Sequence, residues 1–332
     1  MKVLVTSKSF GRHAPEALQL LKAHGIEVAW ASRSSPTPVE IAAEVPGCEA
    51  LVVGNDTVDE GVLAAGDRLR LVHMHGTGLD GIDVPAASAR GVLVANAPGA
   101  NRNAVAELTV ALMLVAARRV DRHLELVKAG RWERSAGCEV SGKTVGVLGL
   151  GNIGRRIVEL LAGFGVRVVA YEPRPDRAWV AAHGVTLATA PDQVFSVADF
   201  LVLSLPLSAE TRNLVDARRL GLMKPTAFLV NTARGGLVDE RALAAAVGEG
   251  RLAGAALDAV SQEPLPADSV LRLPGIILTP HLAATSVETA AAVSNIVARN
   301  LVDVLVRGDL RCAVNAADIR GAPRPDSSPS RG

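Results

Sequence analysis

Aromatic residues are scarce in this chain: one tyrosine and five phenylalanines stand among 332 residues rich in alanine and valine. The core must therefore be packed from small side chains. Cysteine is rarer still. Cys48, Cys138 and Cys312 are odd in number, far apart and without any Cys-x-x-Cys spacing, which argues against a disulfide framework or a cysteine metal site and fits a reducing compartment. An excess of either charge is missing too. With 35 basic and 34 acidic residues the formal net charge is +1, so neither a nucleic acid nor an anionic membrane is an expected partner. No apolar run approaches the length of a membrane span, and Met1 to Thr6 reads as a short strand rather than a leader. Internal repeats are absent. The expectation is a soluble, cytoplasmic protein without a metal, and a length about twice that of a typical domain implies two domains.

What is present is a succession of short apolar runs separated by helix-length segments. In the first hundred residues these are Val3 to Val5, Val28 to Ala31, Ala50 to Val53, Leu71 to His73 and Val92 to Ala95. Such runs imply a parallel sheet covered on both faces. A helical stripe follows from Asn103 to Arg119, then a second helix ending near Ala129-Gly130, where the glycine suits a C-terminal cap. The runs restart at Lys143 and continue with Arg167 to Ala170, Phe200 to Leu205, Ala227 to Asn231, Ala253 to Asp258 and Ile276 to Leu278. The fold class is thus α/β, with two doubly wound parallel-sheet domains. A long apolar-striped helix is expected after Thr285, and the proline- and serine-rich end, residues 319–332, is expected to be disordered.

The run from Lys143 to Leu148 leads straight into Gly149-Leu150-Gly151-Asn152-Ile153-Gly154 and a helix from about Ile153 to Phe164. A second strand, Arg167 to Tyr171, then ends at the acidic Glu172. Strand, Gly-x-Gly-x-x-Gly, helix, strand and acid together form the fingerprint of a dinucleotide site. The first glycine makes the tight turn, the second lets the backbone approach a pyrophosphate and the third lets helix pack on strand. The helix N-terminus offers N–H groups to the anion.

Ligand crevices in open α/β sheets lie beyond the C-terminal ends of the strands. Three polar residues stand at such places in the second sheet: Arg234 after the strand ending at Asn231, Glu263 after the strand ending at Asp258, and His281 after Ile276 to Leu278. Arginine binds a carboxylate and polarises a carbonyl, and histidine gives or takes a hydroxyl proton near neutral pH. A carboxylate beside that histidine fixes its orientation. Hydride transfer between a nicotinamide and a 2-hydroxy acid needs this set.

The chain resembles the D-isomer-specific 2-hydroxyacid dehydrogenases, and within them the D-3-phosphoglycerate dehydrogenase branch. The likeness runs almost from Lys2 to Asn315. It is carried by Gly76-Thr77-Gly78-Leu79-Asp80-Gly81-Ile82-Asp83, Val105-Ala106-Glu107, Gly130-Arg131-Trp132, the glycine fingerprint, Met223-Lys224-Pro225, Asn231 to Gly236, Asp258 to Pro264 and Thr279-Pro280-His281. The resemblance implies an oxidoreductase in which Arg234 binds substrate, Glu263 supports the histidine and His281 is the acid/base. It implies a cofactor site made of Thr77, Gly149, Gly151, Asn152, Ile153, Gly154, Glu172, Leu205, Pro206, Thr232, Ala233, Arg234, Asp258 and His281, with Asp258 meeting the nicotinamide carboxamide. Substrate contacts fall to Asn55, His75, Gly76, Thr77, Gly78, Arg234 and His281, the Gly76-Thr77-Gly78 turn offering N–H groups to the substrate carboxylate. It also implies a Rossmann nucleotide domain, 100–285, inserted in a flavodoxin-like substrate domain made of 1–99 and 286–318, and a homodimer formed through the inserted domain.

Departures from the family pattern shape the rest. Glu172 stands where aspartate is common; either carboxylate accepts from both ribose hydroxyls and repels a 2′-phosphate, which favours NAD, while Arg174 and Arg177 keep NADP open as the lesser alternative. Ser204-Leu205-Pro206 replaces a frequent histidine-x-proline. Met74 occupies the place of a substrate-binding arginine, and Gly54 and Asn55 replace another basic stretch. A phosphate needs cationic partners, so the phosphoglycerate assignment weakens; His73, His75 and Arg102 are the candidates to supply the charge. The regulatory domain of longer members is not expected within this length. The expected function is NAD-dependent reversible oxidation of a small 2-hydroxy acid to the 2-keto acid. The alternatives are a phosphonate or other small-anion dehydrogenase on the same fold, and an NAD-sensing corepressor-like binding protein.

Overall fold

A computed structural model describes residues 1–33 and 36–319 of the chain. The tail expected to be disordered, 319–332, lies outside the described residues except for Ile319. The chain divides into two compact units, Met1–Asn101 together with the segment from Thr285, and Arg102–Ala284.

The first unit is built on strands β1 (Lys2–Val5), β2 (Glu27–Trp30), β3 (Ala50–Val53), β4 (Leu71–Met74) and β5 (Leu93–Ala95), with helices α1 (Pro15–Ala23), α2 (Pro38–Glu44), α3 (Glu60–Ala65) and α4 (Val84–Ala89) between them. The sheet order is β2-β1-β3-β4-β5 and the pairs are parallel. Side-chain alternation splits the strands between two cores. Val3, Val5, Ala50, Val52, Leu71 and Ala95 face a cluster that includes Val293, Val297 and Leu301 from the C-terminal helix. Leu4, Leu51, Val53, Val72, Met74 and Val94 face another that includes Ile41, Val62 and Ala87.

The second unit holds α5 (Arg102–Arg118), α6 (Val120–Lys128), β6 (Thr144–Leu148), α7 (Asn152–Leu161), β7 (Arg167–Tyr171), α8 (Arg177–Ala182), β8 (Thr186–Leu187), α9 (Pro191–Val197), β9 (Phe200–Leu203), α10 (Ala217–Leu220), β10 (Phe228–Asn231), α11 (Glu240–Gly248), β11 (Gly254–Leu257) and β12 (Ile276–Leu278). Its seven strands run in the order β12-β11-β10-β9-β6-β7-β8, all parallel. Every loop that follows a strand therefore opens at the same edge. The chain order reverses between β6 and β9, the place where a doubly wound sheet leaves a crevice.

The last helix, α12 (Val287–Val302), continues as a π turn through Asp303–Arg307. Against the expectation from sequence, Val287–Arg307 is long and apolar enough in composition to cross a membrane. Its Val293, Val297, Leu301 and Val302 are buried in the core of the first unit, which is the pattern of a core helix.

Helix starts follow capping chemistry. Asp59, Asp83, Asp176, Asp216, Asp239 and Ser286 each accept a bond from the N–H three residues on, satisfying a donor that has no partner within the helix. α7 begins after Gly151 with no side-chain cap, as α1, α6 and α9 do after Ala14, Arg119 and Ala190.

Candidate active site

The glycine turn between β6 and α7 has the geometry its three glycines imply. Gly149 lies at φ +96, in the region open to glycine, and a Cβ there would sit 2.4 Å from the Ser204 carbonyl. A Cβ on Gly154 would sit 2.1 Å from the Gly149 carbonyl, so only glycine lets α7 close on the turn. A Cβ on Gly151 would meet no protein atom within 4 Å. Two glycines are thus required by the chain's own packing, and the middle one faces open space. An uncapped helix N-terminus beside that space suits a pyrophosphate. Asn152 is exposed and Ile153 half-buried at this end of α7.

Glu172, just beyond β7, is tied to the same turn. Its Oε2 accepts from the Leu150 N–H at 2.9 Å and its Oε1 from the Arg174 N–H at 3.2 Å. The carboxylate is held in place before any ribose arrives. Beyond β9, Ser204 and Leu205 are half-buried and Pro206 exposed. The Ser204 Oγ is buried with no hydrogen-bond partner. A dinucleotide fits this donor and acceptor set: N–H groups for the phosphates, a carboxylate for the ribose and an open middle glycine.

Beyond β10 the chain turns sharply. Asn231, fully buried, accepts from the Ala233 N–H at 3.0 Å and donates to the Arg234 carbonyl at 2.9 Å. Thr232 shares a hydroxyl bond of 2.7 Å with Thr109 on α5. Arg234 has extended backbone and its Nη1 donates to the Ala233 carbonyl at 2.8 Å. A Cβ on Gly235 would fall 1.9 Å from the Val260 carbonyl carbon, so the loops after β10 and β11 lie in direct contact.

Asp258, 1% exposed, organises the next loop. Its Oδ1 accepts from the Thr279 hydroxyl at 2.6 Å and the Leu282 N–H at 2.9 Å, and its Oδ2 from the Ala283 N–H at 2.9 Å. Its backbone carbonyl takes the His281 N–H at 3.0 Å. These bonds hold His281 at φ +49, a left-handed conformation rare for a residue with a side chain. The His281 Nδ1 then meets both carboxylate oxygens of Glu263, at 2.9 and 2.8 Å. Glu263 is itself steadied by the Val260 N–H at 3.2 Å. With Nδ1 engaged, proton exchange falls to the other ring nitrogen. β10, β11 and β12 are neighbours in the sheet, so Arg234, Glu263 and His281 follow three adjacent strand ends.

In the first unit, the Gly76-Thr77-Gly78 turn follows β4. The carbonyls of Gly76 and Thr77 accept from the Ala97 N–H at 2.8 Å and the Asn96 amide at 2.6 Å. None of the three N–H groups of the turn donates to another described residue. Such a turn presents donors to an anion. Asn55 is exposed beyond β3.

Two of the expected charge donors are corrected here. His73 is fully buried; its Nδ1 meets the Met74 carbonyl at 2.8 Å and its Nε2 the Asn300 amide at 2.9 Å. Burial pushes its pKa down to about 4. The His75 Nε2 meets the Ser294 hydroxyl at 3.0 Å, and its Nδ1 meets Ser7 and Ser9 at 3.1 and 3.2 Å. Desolvation lowers it also to about 4. Both rings are neutral at neutral pH and engaged within their unit. Arg102 opens α5 in the second unit and is exposed.

Comparison with known proteins places this arrangement. The sequence profile for the NAD binding domain of D-isomer specific 2-hydroxyacid dehydrogenases matches residues 110–283. The chain is 37% identical over 328 residues to D-3-phosphoglycerate dehydrogenase of Methanocaldococcus jannaschii, an alignment covering 98% of this chain and 60% of that protein. It is 35% identical over 308 residues to glyoxylate reductase of Korarchaeum cryptofilum, covering 90% of this chain and 92% of that one. The crystal structure of the TT0316 protein from Thermus thermophilus superposes with a TM-score of 0.86 at 32% identity, over 95% of this chain and all of the other. The chain spans about half the length of other curated D-3-phosphoglycerate dehydrogenases it matches.

Proposed function

This chain belongs to the D-isomer specific 2-hydroxyacid dehydrogenase family, and on that premise we propose that it is an NAD-dependent oxidoreductase interconverting a small 2-hydroxy acid and its 2-keto acid. The observation that carries the reading is the bidentate Glu263–His281 pair at strand ends adjacent to that of Arg234. The bound nicotinamide supplies or accepts the hydride. In the reducing direction His281 donates a proton to the carbonyl oxygen while Arg234 polarises it; in oxidation neutral His281 takes the hydroxyl proton. Glu263 holds the imidazole ring and balances the charge it gains. The reading gives Asp258 two tasks: it holds the 279–283 turn, and its Oδ2, bonded to one N–H, has a lone pair for the carboxamide. Glu172, locked to the glycine turn, favours NAD over NADP. The substrate carboxylate is assigned to the N–H groups of Gly76, Thr77 and Gly78.

A homodimer in a cytoplasmic setting belongs to the same proposal. It is supported by α6, on which no residue is buried, and by the three free cysteines.

The test is His281→Gln. It should lower kcat by at least about 100-fold, the lower range for loss of a general acid/base, with NADH binding retained by fluorescence titration. Turnover at the wild-type level would remove the assignment.

A further inference from the structure

We propose that Asp56 sets the substrate class of the first unit's crevice: short 2-keto and 2-hydroxy acids whose C3 substituent is neutral or a hydrogen-bond donor, with phosphoryl and carboxylate tails rejected. The proposal rests on the dehydrogenase reading above and deepens it.

The sheet order β2-β1-β3-β4-β5 changes winding direction between β1 and β3, and ligands of such sheets enter beyond the strand ends at that point. Asp56 stands there. It lies three residues beyond β3, and its Oδ2 accepts from the Thr6 hydroxyl beyond β1 and from the Gly54 N–H at 3.1 Å. The carboxylate thus bridges the ends of the two strands that flank the crevice. The residue is 9% exposed, so its charge is poorly screened. Among the described residues Asp56 forms no ion pair, and both of its side-chain hydrogen bonds end on Oδ2, leaving Oδ1 to a ligand or water. The loop after β4 lies directly on it: a Cβ on Gly81 would come 2.7 Å from the Asp56 carbonyl.

The neighbouring strand end supplies no compensating charge. His73 and His75 are neutral for the reasons given above, and Met74 between them is buried among apolar side chains. His75 even has its tautomer set. The Ser294 hydroxyl donates to the Ala290 carbonyl at 2.7 Å and accepts from the Gly11 N–H at 3.1 Å, so its remaining lone pair must accept from His75 Nε2–H. The cations of the segment between β1 and α1, Lys8 and Arg12, are both exposed to water at the ends of flexible stems. A second anionic group entering the crevice would meet the Asp56 carboxylate before any buried cation, whereas a hydroxyl, amide or ammonium group can donate to it.

The experiment compares hydroxypyruvate with 3-phosphohydroxypyruvate, and pyruvate with oxaloacetate, under NADH in wild type, Asp56→Asn and Asp56→Ser. The serine variant keeps an acceptor for Gly54. Wild type should prefer the neutral-tailed acid by at least 100-fold in kcat/KM, and both variants should move that ratio toward the anionic acid by at least tenfold. Binding of D-glycerate and D-3-phosphoglycerate to the NADH-loaded protein, measured by calorimetry, should shift in the same direction without any turnover. Preference of the wild type for the phosphorylated acid overturns the proposal, as does a loss shared equally by both acids, which is the mark of a structural role. If no keto acid is reduced but the calorimetric ratio moves as expected, the dehydrogenase reading falls and the subsite stands. If neither hydroxy acid binds, the subsite falls with it.

Discussion

His73 lies in β4 and His75 one residue beyond its end, and both turn to α12, where Asn300 and Ser294 meet their ring nitrogens. Both are held near pKa 4 by burial, against 6.5 for the exposed side chain. The sign follows directly. Above pH 6.5 neither folded nor unfolded chain protonates them; as pH falls from 6.5 toward 4 the unfolded chain takes up protons that the folded one refuses, and stability is lost. Each costs about 2 kcal/mol by pH 5, a range in which most carboxylates remain charged. Chemical denaturation at pH 7.5 and pH 5 should therefore show a loss of a few kcal/mol, and imidazole NMR should show two histidines that do not titrate near 6.5. A flat stability between those pH values would contradict the burial assigned to these rings. In the sequence both histidines offered themselves as ligands, because residue type shows chemistry but not depth. Asp56 shows the converse: a lone carboxylate in a loop makes no pattern, and its importance emerges only when the topology brings β1 beside β3.

At the scale of elements, most of the architecture was legible because parallel strands buried on both faces read as unbroken apolar runs. The runs at Ala50 to Val53 and Ile276 to Leu278 coincide with β3 and β12. The strand expected through Leu205 stops at Leu203, since apolarity continues into the crevice wall where pairing has ended. β8, two residues paired to β7 at the sheet edge, is too short to leave a periodic signal. The site residues beyond β10, β11 and β12 were legible for a related reason: position at a strand's C-terminal end is a sequence property once the strands are placed. The left-handed backbone of His281 was not, because it is imposed by Asp258 from the loop after another strand. The glycine turn yields a sharper test. Gly154→Ala forces a Cβ against the Gly149 carbonyl and should cost about 1–3 kcal/mol of stability by overpacking, weakening NADH binding as α7 moves. Gly151→Ala meets no protein atom, so its melting temperature should stay near the wild-type value while NADH affinity drops at least tenfold. If Gly151→Ala bound NADH normally, the open space beside it would not be the pyrophosphate site.

At the scale of the whole molecule, the proposal of a homodimer turns on how much apolar surface a single chain leaves in water. Val120, Leu124 and Val127 follow the i, i+4, i+7 spacing that puts them on one side of α6, and Leu124 and Val127 are 55% and 52% exposed. Trp132, four residues beyond the helix, is 81% exposed. A tryptophan and a branched apolar stripe left so open exceed the scattered hydrophobics of an ordinary surface. Full burial of such side chains is worth about 1.5–3 kcal/mol each, and tryptophans near the centre of an interface often carry a large share of its energy. A second copy of this chain, placing the same stripe against its own, would cover them by the self-complementary rule of a twofold interface. The double variant Leu124→Glu with Val127→Glu places two carboxylates in that interface and should raise the dimer dissociation constant at least about 100-fold, or about 2.7 kcal/mol, as read by light scattering across a dilution series. Trp132→Ala should weaken it less, by loss of contact alone. The glycine turn has no side chain in common with α6, so NADH should still bind the dissociated double variant. A wild-type chain that is monomeric at micromolar concentration, or a double variant that stays dimeric, would assign this stripe to something other than a second copy.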